Sequence, residues 1–163
     1  MTSVAIVGAA ECDLGITNKS ILTLQAQAIT RALADAGLNL SDVDGLATTG
    51  TGRFPATQLG DYLGLQPRWT ESTFAGGSAY EIMVGRAVQA IEAGKASTVV
   101  VSFASNQRSA RSRKLGGVVE EHTPEAQFEQ PYDVLHPISY YAMAARQYLH
   151  RYGGTRAQLA EVA

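Results

Sequence analysis

Glu71-Ser72-Thr73-Phe74-Ala75-Gly76-Gly77-Ser78-Ala79-Tyr80 is a strand-like segment that runs into two glycines and a serine, and then into an amphipathic helix. It reads as a strand–tight turn–helix elbow, the place where many α/β enzymes present a nucleophile. Glycine suits such a turn because it lacks a Cβ and tolerates positive φ. No side chain at the turn is an obvious nucleophile except Ser78. The elbow has the scaffold of a catalytic site without its usual reagent.

The segments on either side support an α/β reading. Upstream, Ser3 to Gly8 is a short, nearly continuous apolar run, expected to form a strand buried on both faces. Residues 20–36 read as a helix, with Leu22, Ala26, Ile29, Ala32, Leu33 and Ala36 at helical spacing and Gly37 as its stop. Asp44 to Ala47 is a second short strand, and residues 56–63 form a short helix ended by Gly64. Trp69 to Ala75 is a third strand, leading into the elbow. The helix after it, about 78–93, carries Ile82, Val84, Ala87, Val88 and Ile91 on one apolar face. Ser97 to Phe103, rich in β-branched residues, is a fourth strand. Strands alternating with helices predict an α/β layered fold with crossover helices.

From Ser105 to Pro137 the periodicity fades, and basic residues are followed by glutamates. Loops of that length are usually functional or disordered. A helix from about Ile138 to Tyr152 follows, closed by Gly153-Gly154, and Thr155 with Gln158 signals a capping box for another. The expected organisation is an α/β half-domain over 1–104 and the beginning of a loop domain over 105–163.

Composition narrows the function classes. Hydrophobic residues make up 45% and charged residues 17%, as in a globular protein, and 163 residues leave room for one domain. A net charge of −2 gives no electrostatic reason to expect nucleic acid or an anionic membrane as partner. The longest apolar runs fall far short of the roughly 20 residues that span a bilayer. The one cysteine, Cys12, cannot form an internal disulfide or a metal site, and no secretory pattern opens the chain. The expected location is the cytoplasm.

Several motifs together resemble the thiolase superfamily, above all its sterol-carrier/lipid-transfer-type thiolases. They are Val4-Ala5-Ile6-Val7-Gly8-Ala9-Ala10-Glu11, Asp35-Ala36-Gly37-Leu38 with Asp42-Val43-Asp44-Gly45-Leu46, Gly76-Gly77-Ser78, and the stretch from Tyr140 through Arg146 to Tyr152-Gly153. Family thiolases place a cysteine at the elbow in a Cys-Gly-Ser-Gly run. Here Gly76 occupies the cysteine position, Gly77 and Ser78 follow, and Ala79 replaces the last glycine. A thiolate attacks and carries the acyl group, and glycine can do neither. Relatives with a Gly-Gly-Ser elbow include aldolases that cleave β-hydroxyacyl-CoA side chains. The resemblance implies two similar α/β halves plus a loop domain. On that reading the chain supplies an incomplete first half and the opening of the loop domain, as a fragment or one piece of a split enzyme.

The candidate site residues follow from both readings. Backbone N–H groups of Gly76, Gly77 and Ser78 at a helix N-terminus would stabilise an oxyanion on a thioester carbonyl; the plain alternative is a tight turn without chemistry. Ser78 as a nucleophile lacks an assignable histidine base, and a helix N-cap is its plainer role. Arg108, Arg111 and Arg113, with Lys114, are candidates for the phosphates of coenzyme A, or are simply solvated or paired with the glutamates that follow. His122, His136 and His150 lack metal-ligand spacing, so no metal is expected. Cys12 is expected to be an uninvolved thiol. Tyr132, Tyr140 and Tyr141 either line an acyl pocket or pack.

The expected activity is retro-aldol cleavage of a β-hydroxyacyl-CoA in lipid or steroid metabolism. The coenzyme A thioester is then the substrate, and no covalently bound cofactor is expected. Two other classes stay open: a non-catalytic acyl-CoA or lipid-binding module, and a structural subunit that dimerises with a catalytic homologue. The resemblance further implies a homodimer or larger oligomer, and a small OB-fold/zinc-ribbon protein as partner.

Overall fold

Helix α1 (Ile21–Asp35) begins where the Ser20 hydroxyl accepts the Thr23 N–H at 3.1 Å, the usual work of an N-cap serine. It ends at Gly37, and the Leu38 N–H returns to the Leu33 carbonyl. The computed structural model describes residues 3–49, 52–110, 122–134 and 137–161, which form two compact units divided between Arg111 and Ser112.

In the first unit, strands β1 (Gly45–Ala47), β2 (Trp69–Glu71) and β3 (Val99–Val101) form a parallel sheet in the order β2-β1-β3. Gly45 lies opposite Trp69 on one side and Val99 on the other. Helix α2 (Pro55–Leu63) joins β1 to β2, and α3 (Ala79–Glu92) joins β2 to β3. Adjacent strand residues point to opposite faces, and the two cores follow that rule. Leu46 packs with Ile29, Leu33 and Leu59, the face covered by α1 and α2. Ala47 packs with Ala79 and Met83, the face covered by α3. The result is a three-layer α/β/α unit.

One carboxylate gathers the entrance to all three strands. Asp44 Oδ1 accepts the N–H groups of Ser97 and Thr98 at 2.7 and 2.9 Å, and its Oδ2 pairs with Arg68 at 2.9 Å. The Asp44 carbonyl accepts the Arg68 N–H. Burial pushes the Asp44 carboxyl up, but the two N–H groups and the guanidinium outweigh it and hold the group below its ordinary value.

The expected first strand is absent from this sheet. Residues 3–8 belong to no strand among the described residues, and Ile6 is 81% exposed rather than buried. The segment is nevertheless anchored. A Cβ at Gly8 would stand 2.2 Å from the Ala32 carbonyl oxygen, so only glycine permits that approach to α1. The Ala9 N–H then donates to Asp35 at 3.1 Å. An apolar run fixed this way lacks a strand only because no ladder partner lies beside it. The sheet therefore has three strands where the sequence implied four. The apolar face of α3 is also rotated from expectation: Met83, Ala87 and Ala90 are buried, while Ile82 and Val84 are over one-third exposed.

The second unit contains α4 (Pro124–Phe128), α5 (Ile138–Tyr152) and α6 (Arg156–Ala160), none with a buried residue. Helix α4 falls inside the expected long loop. Its signal was legible: Thr123 accepts the Ala126 N–H as N-cap, and Pro124 occupies the first turn. The Thr155 N–H donates to Gln158 at 2.8 Å, as the capping-box reading anticipated. No helix among the described residues is long and apolar enough to cross a membrane.

Candidate active site at the elbow

Parallel α/β sheets hold their sites beyond the carboxyl ends of the strands, and that end of this sheet is built with care. β2 stops at Glu71 because its own side chain takes over the next backbone donors. Oε1 accepts the N–H groups of Ser72 and Thr73 at 2.9 and 2.8 Å and the Thr73 hydroxyl at 2.6 Å. Oε2 pairs with Arg86 of α3 at 2.9 Å. Burial pushes the Glu71 carboxyl up, but these donors, the Thr73 hydroxyl foremost, outweigh it and hold the group below its usual range. Glu71 thus ties the strand before the elbow to the helix after it. Sequence reading missed this pair, since a separation of fifteen residues across a turn leaves no local pattern.

Beneath the elbow, Gln25 of α1 donates to Thr48 Oγ1 at 2.7 Å and to Ser102 Oγ at 3.4 Å, joining the ends of β1 and β3. Gln25 is 1% exposed, and its Oε1 has no partner among the described residues. The Tyr80 hydroxyl donates to the Thr49 carbonyl at 3.2 Å. Burial raises the Tyr80 hydroxyl above its ordinary value.

Gly76 adopts φ +62°, as the elbow reading required. A Cβ there meets nothing within 4 Å, so the restriction is backbone strain and not space. Gly76, Gly77 and Ser78 are all exposed. Ser78 stands at the N-cap of α3, yet its side chain caps nothing. Ala75 and Gly77 form an isolated bridge across the turn, and the Ala79 N–H donates to the Gly76 carbonyl at 3.2 Å. All three histidines of the sequence lie beyond residue 111, outside the unit that carries Ser78. Within the first unit, Ser78 has no histidine base.

Arg108 is exposed and lines a cavity of about 520 Å³ together with Cys12, Thr17, Phe103 and Ser105. Phe103 also meets the Tyr80 ring edge-on at 5.2 Å, so this cavity adjoins the helix of the elbow. Ser109 Oγ accepts the N–H groups of Thr17 and Asn18, which fixes the loop that carries Arg108. Arg111, Arg113, Lys114 and His136 lie outside the described residues. Asp13, held by Lys19, Arg31 and Gln27, has its carboxyl driven far below the usual range. It is a clamp on residues 9–19, not a free acid. In the second unit, Tyr140 donates to Glu129, which pushes the Tyr140 hydroxyl up to about 12. Tyr132 and Tyr141 are exposed there. Among the described residues, no group of three His, Cys, Asp or Glu is placed to hold a metal ion.

The chain superposes with a TM-score of 0.73 on an Ltp2-ChsH2(DUF35) aldolase, at 31% identity over 93% of this chain and 39% of that one. A monomeric SCP2-thiolase like protein from Mycobacterium smegmatis matches 59% of the chain, and 22% of its own, with a TM-score of 0.50 and 21% identity. The fold is thiolase-like.

In sequence, the chain is 35% identical over 93% of its length to the 17-hydroxy-3-oxo-4-pregnene-20-carboxyl-CoA lyase of Mycobacterium tuberculosis. It is 31% identical over 99% of its length to the steroid side-chain-cleaving aldolase of Thermomonospora curvata. It spans 41% and 42% of the lengths of these relatives. No protein-family model matches the chain. The thiolase-like elbow of this chain therefore sits beside relatives named for carbon–carbon bond cleavage.

Proposed function

We propose that this chain is the elbow-bearing part of an enzyme that cleaves the carbon–carbon bond of a β-hydroxyacyl-CoA in lipid or steroid metabolism. The observation that carries the reading is the elbow itself: an exposed turn at the N-terminus of α3, with Gly76 at φ +62°. Its support is the likeness to a CoA-ester lyase and a side-chain-cleaving aldolase.

In the proposed reaction a base removes the proton of the β-hydroxyl. The Cα–Cβ bond breaks, its electron pair moves into the thioester as an enolate, and the former hydroxyl carbon leaves as a carbonyl. Protonation at Cα completes a shortened acyl-CoA. The enolate oxygen is where charge develops, and preorganised N–H donors aimed there are worth about 3–4 kcal/mol each in barrier height. Gly77 and Ser78 N–H groups take that role. The base comes from outside the described residues. Glu71, Gln25 and Tyr80 are positioning residues that hold the strand ends and α3 beneath the elbow. Arg108, with Arg111 and Arg113, is proposed to meet the phosphates of the CoA ester. Assembly as a dimer, and with an OB-fold/zinc-ribbon protein, belongs to the same proposal; the two-component name of the aldolase relative supports a second component.

The test is product analysis with a β-hydroxyacyl-CoA, using the protein isolated with whatever accompanies it in its source cell. Shortened acyl-CoA and a carbonyl product in equal amounts are expected. Free coenzyme A from hydrolysis, with no carbonyl product, would overturn the proposal.

A further inference from the structure

The turn that carries Arg108 is fastened to the loop before α1 on both sides of that residue. Ser109 Oγ accepts the Thr17 N–H at 3.0 Å and the Asn18 N–H at 3.1 Å, across 92 and 91 positions of sequence. Asn106 donates through Nδ2 to the Lys19 carbonyl at 3.5 Å. The Ala110 N–H closes the turn on the Asn106 carbonyl at 2.9 Å. Asn106 and Ser109 therefore bond to the 17–19 segment, while Gln107 and Arg108, the two residues between them, line the cavity of about 520 Å³. The 17–19 segment is itself a fixed base. Lys19 pairs with Asp13, and Asp13 pairs with Arg31 of α1 at 2.6 Å.

Ser109 is chemically suited to this work. A hydroxyl oxygen has two acceptor lone pairs, and the two N–H groups take both. Asn18 adopts φ +53°, a left-handed conformation that asparagine tolerates and that lets consecutive N–H groups converge on one acceptor. Alanine at 109 would leave both donors without this acceptor. Arg108 makes no ion pair among the described residues. Of the acids on the cavity wall, Asp13 is neutralised by Lys19 and Arg31, and Glu11 is exposed to solvent.

We infer that Ser109 is a positioning residue for CoA-ester binding: its hydroxyl pins the Arg108 turn against residues 17–18 and so sets the guanidinium at the cavity wall. The inference rests on the proposed reading of Arg108 as a contact for the CoA phosphates. It adds that affinity depends on a side chain that never meets the ligand. A guanidinium held in place meets a phosphate with little further loss of freedom, whereas one on a loose turn must be ordered as it binds. Releasing the turn therefore weakens binding and leaves the elbow, tied by Glu71 to Arg86, as it was.

Steady-state kinetics with a β-hydroxyacyl-CoA and calorimetry with free coenzyme A test this. Parent and variants are expressed in the source cell and isolated with whatever accompanies them. Ser109→Ala is expected to raise KM and the Kd for coenzyme A about tenfold, with kcat within about twofold of the parent, the signature of lost binding common to ground and transition states. Ser109→Thr keeps the hydroxyl and is expected to stay within about threefold of the parent. Arg108→Ala should raise KM by a similar factor, and the double variant should be no worse than Arg108→Ala alone, because Ser109 acts through Arg108. An unchanged KM in Ser109→Ala, an equal fall in kcat and kcat/KM, or factors that multiply in the double variant would overturn the inference. If Ser109→Ala fails to fold, Ser109→Cys keeps the shape with a poor acceptor; it is expected to raise KM in the same direction, and a parental KM there would overturn the inference too. A parent that binds no coenzyme A and cleaves no β-hydroxyacyl-CoA would overturn the proposed function and this inference with it, whereas failure confined to the Ser109 variants overturns the inference alone.

Discussion

Replacing Glu71 is the sharpest way to ask whether the elbow is held as described. In Glu71→Ala, three donors clustered on one oxygen lose their acceptor, and Arg86 loses its partner. Hydrogen bonds to a charged group contribute about 1.5–3 kcal/mol each when well buried. The Glu71 side chain is 14% exposed, but Ser72 is exposed and Thr73 half-buried, so water replaces part of what is lost. Arg86 is 51% exposed, which limits the ion pair to under about 1 kcal/mol. The expected cost of Glu71→Ala is about 2–3 kcal/mol, or a fall in melting temperature of about 4–12 °C for a chain of this size. Glu71→Gln keeps an acceptor oxygen and is expected to cost about 1 kcal/mol. The sign of the pH dependence follows from the depressed carboxyl: its contribution is complete above the ordinary value of 4.5 and is lost as pH falls through the lower folded value. Glu71→Gln should therefore flatten the acid limb of the stability profile below about pH 4.5. Thermal melts followed by circular dichroism from pH 3 to 7 measure all of this. A Glu71→Ala variant within about 0.5 kcal/mol of the parent, or a Glu71→Gln as damaging as Glu71→Ala, would refute the local-acceptor argument.

Further outcomes follow from the same geometry. Asp44→Ala removes the acceptor of Ser97 and Thr98 at the strand entrances and should cost about 2–4 kcal/mol in denaturant unfolding, again with stability lost on the acid side because the folded carboxyl is depressed. Gly76→Ala should cost about 1–2 kcal/mol through its positive φ alone, since the added methyl meets no atom; no change in stability would mean that the elbow relaxes. Gly76→Cys should label with a thiol reagent faster than Cys12 does in the parent, because it stands exposed at a helix N-terminus. In a spectrophotometric titration of the seven tyrosines, Tyr80 and Tyr140 should ionise above pH 10, and Tyr140→Phe should remove the step near pH 12.

The helices were the most legible part of the chain. Periodic apolar residues closed by glycine gave α1, α2, α3 and α5 nearly to the residue, because those signals are local. The strands were legible in place but not in length. β2 was expected to reach Ala75 and stops at Glu71, because the Glu71 carboxylate captures the Ser72 and Thr73 N–H groups. β3 was expected from Ser97 and begins at Val99, because Asp44 captures the Ser97 and Thr98 N–H groups. Short polar side chains competing for backbone donors are invisible to periodicity. Residues 3–8 have the composition of a buried strand, but pairing is a property of the neighbour, and none lies beside them. The Gly76-Gly77-Ser78 turn was readable from its residues alone. The Gln25–Thr48–Ser102 floor was not, since it joins three elements separated by up to 77 residues.

The most direct test of the proposed function is a single-turnover experiment with a radiolabelled β-hydroxyacyl-CoA and the natively isolated protein, quenched in acid and resolved into protein-bound and free label. A retro-aldol reaction at an elbow without a thiol predicts free acyl-CoA and free carbonyl product, with no label retained on the chain. Acyl label covalently attached to the chain, at Ser78 or elsewhere, would contradict it.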